Sequence, residues 1–388
     1  MQSVVRCCVL LLICAAVLPA QSIRRLDGSS IPAEEIDATV TRLMDAAKVP
    51  GLGLAIIEDG KVAYLKGYGF RDVQQKLPYA TDTIVYAASF TKVAFAYTVL
   101  QQVQRGLLDL DRPVYQYLPK PLPQYEAYKD LADDERWKKF TARILLSHSS
   151  GLPNWRYFED DQKLHIHFDP GTRFAYSGEG LQLLQFVLET ITKKPLLELM
   201  QADVFQPFGM THTDMTWQSR FESNFAQGYD EKGKDLGPER KKHVLGAGSM
   251  LTTIGDYANF VAAVSRGERL SPKLRAEMLK AQIAIPYEHE FPPFEQKVTE
   301  ANKAIRLSYG LGVGLYWCPY GEAFFKEGHD DGWNNYFVVF DGPKTGIVIM
   351  SNSSDGEGIF KELLETLLRD TSTPIEWEGY TPYNRRTN

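Results

Sequence analysis

The strand-like segments of this 388-residue chain lie toward its two ends, and a mostly helical region separates them. Near the N-terminus, Gly51 to Ile57 and Lys61 to Tyr68 are β-rich runs joined by an Asp-Gly turn, which is typical of a hairpin. Four further strand-like runs come late in the chain, at Tyr309 to Trp317, Ala323 to Lys326, Asn335 to Phe340 and Gly346 to Ser351. We therefore predict an α/β (α+β) fold in which one antiparallel sheet is built from both chain ends and flanked by helices.

The helical region is predicted to form an inserted all-helical domain. Its best helical segments are Ser89 to Arg105, Thr141 to Ser147, Gly180 to Thr192 and Pro195 to Phe205. We assign residues 85–244 to this domain, and residues 21–84 together with 245–388 to the α/β domain. A ligand is expected to bind in the cleft between two such domains.

The first twenty residues differ from the rest of the chain. One positive charge at Arg6 precedes an apolar run from Cys7 to Leu18, and Pro19-Ala20 follows, which is the pattern of a secretory signal peptide at residues 1–20. The apolar run is too short for a stable membrane span. We therefore predict an exported protein, periplasmic or extracellular, with cleavage after Ala20 or Ala16. Removal of this segment leaves Cys318 as the single cysteine, so no intramolecular disulfide is expected.

Composition narrows the possible partners. With 44% hydrophobic residues, 24% charged residues and a formal net charge of -6, the chain is an ordinary folded protein without a basic patch for nucleic acid. His165 and His167 form an H-x-H pattern, but no third ligand follows at a recognisable spacing, so we expect no metal and no cofactor. A small molecule or a peptide is the expected substrate. The sequence does not indicate the oligomeric state.

Ser89-Phe90-Thr91-Lys92 is the one S-x-x-K tetrad of the chain. Positions i and i+3 share one face of a helix, so the serine hydroxyl and the lysine amine are predicted to be neighbours. The helix that follows is apolar almost all round, and a lysine on its first turn would be partly desolvated and able to take the serine proton. By itself the tetrad also fits an N-capping serine beside a solvated lysine.

Further segments around the tetrad carry a family resemblance. They are Asp59 to Gly69, Thr83 to Lys92, Leu145 to Pro153, Phe205 to Met210, Ala247 to Thr253 and Tyr309 to Gly312. In this order they resemble the serine β-lactamase-like and penicillin-binding protein family, specifically its class C branch. The resemblance covers most of the chain after the signal segment. It implies a β-lactamase/transpeptidase-like fold and an acyl-enzyme serine hydrolase.

The resemblance also implies roles for individual residues. Ser89 matches the nucleophile and Lys92 the adjacent general base. Tyr176 matches the tyrosine of the second motif, which shuttles a proton to the leaving group. His329 matches the third motif, where the family has Lys or His on a strand beside the nucleophile. The backbone N–H groups of Ser89 and Gly332 would form the oxyanion hole.

Two positions depart from the family pattern. The second motif usually reads Tyr-x-Asn, but Gly178 stands at its third position, and the third motif usually ends in Gly, where this reading gives Asp331. A carboxylate there would repel a substrate carboxylate. Asn154 and Trp155 follow a family segment and are expected to line the substrate pocket together with Gly178 and Asp331.

These observations predict a secreted serine hydrolase that acts on an ester or amide bond. Among possible substrates, the departures favour uncharged esters or peptides over the D,D-carboxypeptidase and β-lactamase alternatives. A hypothesis of another class is a non-catalytic ligand-binding protein on the same fold. Ser89, Lys92 and Tyr176 together argue against it, because a protein without turnover has no need to keep all three.

Overall fold

The computed structural model describes residues 22–294 and 297–385, so the signal peptide predicted at residues 1–20 lies outside the described residues. The strands of the described part are β1 Ser22–Arg24, β2 Ser30–Pro32, β3 Gly51–Glu58, β4 Lys61–Asp72, β5 Leu77–Pro78, β6 Val85–Tyr86, β7 Gly228–Tyr229, β8 Asp235–Gly237, β9 Leu251–Thr252, β10 Ile283–Ala284, β11 Ser308–Tyr309, β12 Gly314–Cys318, β13 Gly321–Asp330, β14 Trp333–Phe340 and β15 Thr345–Ser351. The α-helices are α1 Ala33–Ala47, α2 Thr91–Gln104, α3 Ala142–Leu146, α4 Gly178–Thr192, α5 Leu196–Met200, α6 Ile254–Arg266, α7 Pro272–Met278, α8 Glu300–Ala304 and α9 Phe360–Leu363.

Within the described residues, nine strands form one antiparallel sheet in the order β10-β11-β12-β13-β14-β15-β3-β4-β5. The two ends of the chain meet where β15 pairs with β3, with Gly346 opposite Ile57 and Ser351 opposite Leu52. The prediction of an antiparallel sheet assembled from both chain ends is therefore confirmed.

Helices cover both faces of this sheet. Leu54 and Ile56 of β3 pack with α1 in one hydrophobic cluster, whereas Ala55 and Ile57 pack with α6 in the other. This alternation follows from the strand period of two residues. Every residue of β14 and β15 is buried, because a central strand with a helical layer on each side meets apolar surface in both directions.

The segment from residue 85 to 244 contains α2 to α5, as well as strands β6, β7 and β8 that the sequence patterns do not predict. Strand β6 pairs with β9, so the segment is tied to the region that follows it. Helix α2 is buried at every position from Thr91 to Gln102, which agrees with its nearly uniform apolar sequence. The domain boundaries at 84/85 and 244/245 stay predictions.

Among the described helices, none combines the length and the apolar character of a membrane span.

Candidate active site

The chain makes a sharp turn at Ala88 to Phe90 before it enters α2, and Ser89 lies on this turn. Ala88 has φ +45°, in the left-handed region that costs a non-glycine residue roughly 1–2 kcal/mol. The turn is held by Thr91, whose hydroxyl donates to the Ala88 carbonyl at 2.6 Å and accepts from the Met250 N–H at 3.0 Å. Strain that the surroundings maintain in this way is characteristic of functional sites.

Lys92 lies directly against Ser89. Its Nζ donates to Ser89 Oγ at 2.9 Å and to the carbonyl oxygen of Ala247 at 2.5 Å. The side chain is 2% exposed. Burial, with the nearby positive charge of Lys326, lowers the pKa of Lys92 to about 7. A substantial fraction of the amine is therefore neutral near pH 7 and able to accept the Ser89 proton.

Tyr176 stands over both Ser89 and Lys92. The Lys92 Nζ lies 4.9 Å from the centre of its ring, and its hydroxyl interacts with the Ser89 side chain. Burial raises the pKa of Tyr176 well above its ordinary value, so the residue remains a phenol and a proton donor. The ring stacks on that of His148 at 4.3 Å between centres.

His148 is a fixed, neutral support for Tyr176. Its Nδ1 accepts a hydrogen bond from the Ser177 N–H at 3.1 Å, which places the ring proton on Nε2. Burial and the positive charges of Lys92 and Lys326 lower the pKa of His148 well below its ordinary value. The imidazole therefore positions the tyrosine and does not titrate near neutral pH.

Lys326, which the sequence analysis missed, completes this group. Strand β13 continues to Asp330, well beyond the predicted end at Lys326, and the Lys326 side chain is fully buried. Its Nζ donates to the Tyr176 hydroxyl at 3.0 Å and forms an ion pair with Glu327. Lys326-Glu327-Gly328 fits the family's Lys-x-Gly pattern, and this was the available sequence signal.

His329 and Asp331 consequently take other places than the sequence indicated. The His329 side chain is about half exposed at the cleft, with Nδ1 2.6 Å from Asn334 Oδ1 and 3.8 Å from Glu357. Lys326 is the residue that contacts Tyr176. Asp331 is exposed in the turn between β13 and β14, and Gly328 supplies the glycine that Asp331 seemed to replace.

Strand β13 passes very close to the nucleophile turn. A Cβ atom on Gly328 would lie 2.7 Å from the Ala87 carbonyl oxygen, so this approach requires glycine. The N–H of Trp317, an odd-numbered residue of β12, donates to the Ile305 carbonyl and so points away from β13. The even-numbered residues of β12 therefore face β13, and because Gly314 lies opposite Phe325, their partners on β13 are the odd-numbered residues. Strand β12 begins opposite Phe325, so the later residues of β13 have no partner on β12. The backbone edge of β13 is therefore open at His329, on the side of Ser89.

Gly332 does not fit the oxyanion role predicted for it. Its N–H is buried and donates to Ser354 Oγ at 2.8 Å, in the turn after β13. This contact leaves no donor for a substrate oxygen. The prediction for Gly332 is corrected, and the N–H of His329 is the group that the strand directs to the open edge.

Asn154 and Trp155 pack against Gly178, the residue at the position where the second motif usually has asparagine. The Gly178 N–H, at the start of α4, donates to two oxygens of Asn154, the backbone carbonyl oxygen at 3.0 Å and the side-chain Oδ1 at 3.1 Å. A Cβ on Gly178 would lie 2.7 Å from the Trp155 ring. Glycine is required here because Trp155 packs against the backbone. Both Asn154 and Trp155 line the cleft, and their role in substrate binding stays a prediction.

Ser89, Lys92 and Tyr176 open into a cleft of about 750 Å³. Its lining includes aromatic side chains, Trp155, Tyr157, Phe158 and Phe291, and carboxyl side chains, among them Glu290, Glu327 and Glu378. The site therefore offers a nucleophile, a buried base, a phenolic proton donor and open backbone donors along one wall. These are the groups that acyl transfer to a serine requires.

Comparison with known proteins gives a consistent result. A family model described as Beta-lactamase matches residues 36–368. The chain is 24% identical over 373 residues to Unguisins hydrolase ungD of Aspergillus violaceofuscus, which covers 84% of this chain and 63% of the relative. It is 26% identical over 215 residues to Protein flp of Staphylococcus aureus, which covers 52% of this chain and 42% of that protein. The chain thus spans less than two thirds of the length of these curated relatives.

Two solved structures are similar in fold. One is the octameric penicillin-binding protein homologue from Pyrococcus abyssi, with a TM-score of 0.66, 23% identity, and coverage of 84% of this chain and 74% of that one. The other is the D-alanine carboxypeptidase AmpC from Burkholderia cenocepacia, with a TM-score of 0.65, 22% identity, and coverage of 83% and 95%.

Replacing Gly328 with Ala should slow the reaction of Ser89 with a fluorophosphonate by about 10- to 100-fold, because the new methyl group would push β13 away from the nucleophile turn. Intact-protein mass spectrometry over time measures this rate. Gly342→Ala is the matched control, since the nearest atom to its Cβ is 3.5 Å away. Equal labelling rates in the two variants would contradict the close approach of β13.

Proposed function

The chain belongs to the Beta-lactamase family, whose members are serine hydrolases, and we propose that it cleaves an ester or amide bond through an acyl-enzyme on Ser89. The observation that carries the proposal is the contact of 2.9 Å between Ser89 Oγ and the buried Nζ of Lys92. A lysine whose pKa is lowered to about 7 by burial is a competent base for a serine hydroxyl at neutral pH.

Acylation begins when neutral Lys92 takes the Ser89 proton and Ser89 Oγ bonds to the substrate carbonyl carbon. The N–H groups of Ser89 and His329 would stabilise the oxyanion that forms. Tyr176 then donates its proton to the leaving group as the bond to the carbonyl carbon breaks, and it regains a proton from the ammonium of Lys92. Lys326, at 3.0 Å from the Tyr176 hydroxyl, stabilises the phenolate character that develops. Water releases the acyl group by the reverse sequence.

The proposal extends to the substrate only as a class. A small molecule or a peptide with an ester or amide bond fits a cleft of about 750 Å³. An esterase or peptidase activity stays our first choice over D,D-carboxypeptidase or β-lactamase activity. Glu327, at the middle position of the Lys-x-Gly motif, opposes a substrate carboxylate near Tyr176, which is the effect that the sequence predicts for Asp331. A role in ligand binding without turnover is disfavoured by the Ser89–Lys92 contact.

Hydrolysis of p-nitrophenyl butyrate should depend on Ser89 and rise with pH. Ser89→Ala should lower kcat/KM by at least about 10³-fold. In the wild-type protein, kcat/KM should increase as the pH rises through about 7 and then level off, because protonated Lys92 cannot accept the serine proton. Release of p-nitrophenol between pH 5 and 9 measures both effects. Equal rates in wild type and Ser89→Ala, or a rate that falls across this range, would reject the mechanism.

Lys326 and His329 should differ strongly in their contributions. Lys326→Met should lower kcat by about 100-fold or more, because Tyr176 loses its buried cationic partner, whereas His329→Gln should stay within about threefold of wild type. The double variant Lys326→Met with Glu327→Gln removes the whole ion pair and controls for an unpaired carboxylate in the core. A larger loss at His329 than at Lys326 would restore the assignment made from the sequence.

Export of the protein is a further proposal, and it rests on the charge and apolar run of residues 1–20. We expect the protein to be recovered outside the cytoplasm with its N-terminus at Gln21, or at Val17 if cleavage follows Ala16. N-terminal sequencing of the protein expressed from its full reading frame tests this. Cytoplasmic protein that retains Met1 would contradict it.

A further inference from the structure

Three carboxyl side chains from distant parts of the chain lie near one another in the wall of the cleft. Glu290 lies on the segment after β10, Glu327 lies on β13, and Glu378 lies on the C-terminal segment. The first and last of these segments are joined, because the Glu290 N–H donates to the Trp377 carbonyl at 2.8 Å. We call these three residues the carboxyl pocket.

Two members of the carboxyl pocket have oxygens with no hydrogen-bond partner within the described structure. Glu290 is 4% exposed, and its Oε1 is buried and unpaired. Both carboxyl oxygens of Glu378 are likewise buried without a hydrogen bond of normal geometry, and the Tyr336 hydroxyl is the neighbouring donor that interacts with this carboxyl. A buried acceptor without a hydrogen-bond partner is unfavourable, because it has lost its bond to water. Such acceptors at a cleft wall are suited to a ligand that brings hydrogen-bond donors.

Glu290 and Glu378 also have no ion-pair partner among the charged groups of the described structure. Glu327 has its ion pair with Lys326, and Lys92 must be neutral to act as the base. Burial raises the pKa of both Glu290 and Glu378 well above the ordinary value, with the charge of Glu327 acting in the same direction. A cation bound there would relieve this cost, since it favours the ionised form of both carboxyls.

The rest of the cleft favours a cation as well. Apart from Glu290 and Glu378, whose raised pKa values favour the neutral form, four carboxyl side chains line it against two lysines, Lys92 and Lys241. The four are Glu327, Asp330, Asp331 and Glu357. A cleft lined mainly by one sign of charge attracts ligands of the opposite sign. A metal ion is disfavoured as the occupant, because the described His, Cys, Asp and Glu residues contain no group arranged to hold one.

We propose that the carboxyl pocket binds a primary ammonium group of the substrate, which makes the protein selective for esters or amides with a cationic leaving group. An ammonium brings one positive charge and three N–H donors, which match the unpaired oxygens of Glu290 and Glu378. The pocket lies on the leaving-group side of the site. Its member Glu327 is paired with Lys326, and Lys326 contacts Tyr176, which donates the proton to the leaving group. The ammonium is therefore expected on the leaving group. This inference rests on the proposed function.

A matched pair of aryl esters tests the inference. In 4-(aminomethyl)phenyl butyrate and 4-ethylphenyl butyrate the leaving groups have similar size, but only the first carries an ammonium. Wild-type kcat/KM should favour the ammonium ester by about 10- to 100-fold. In the double variant Glu290→Gln with Glu378→Gln this ratio should fall to about twofold or less. Benzylamine should also inhibit the wild type more strongly than benzyl alcohol does, and this difference should disappear in the double variant.

Glu126→Gln is the control, because it removes an exposed carboxyl that does not line the cleft and should leave the ratio within about threefold of wild type. Equal wild-type rates on the two esters, both dependent on Ser89, would overturn the inference and leave the proposed function standing. An unchanged preference for the ammonium ester in the double variant Glu290→Gln with Glu378→Gln would also overturn it. If the double variant does not fold, the same measurement on Glu378→Gln alone decides. Failure of the wild type to hydrolyse either ester would count against the proposed function itself.

Discussion

The burial of the Lys92 amine is the constraint on which the rest of the site depends. Helix α2 is enclosed from its first turn, so the amine is almost entirely shielded from water and contacts the Ser89 hydroxyl and the Ala247 carbonyl. An ammonium held by neutral oxygens in an apolar interior is costly, and loss of its proton relieves that cost. The apolar packing of α2 is therefore both a structural and a chemical requirement.

The second lysine makes the first one reactive. Lys326 lies in a buried ion pair with Glu327, and its positive charge adds to burial in lowering the pKa of Lys92. Tyr176 lies between the two lysines, with its ring against both Nζ atoms at 4.9 and 4.7 Å. The two amines thus have different tasks, set by their different partners: one exchanges a proton with serine and the other supports the phenol.

The sequence indicated part of this arrangement, and the limits have physical reasons. The fold and the Ser89–Lys92–Tyr176 group follow from strand placement, helical spacing and the family resemblance. Lys326 was missed because a lysine in a strand is normally exposed, and only the pairing of β13 through Asp330 shows that it is enclosed. Glu378 could not be placed at all, since its position depends on an irregular segment that packs back onto the residues around Glu290.

The pairing of β3 with β15 has a consequence for the order of folding. The hairpin of β3 and β4 is made early in synthesis, yet its inner neighbour β15 follows almost three hundred residues later, with Ile57 opposite Gly346. Until then β3 presents an apolar, unpaired edge, which is a template for wrong strand pairing. Contacts so distant in sequence also close slowly. The chain must therefore pass through a long interval in which one edge of β3 is unpaired, and its yield should depend on how well that edge is shielded before the last strands are made.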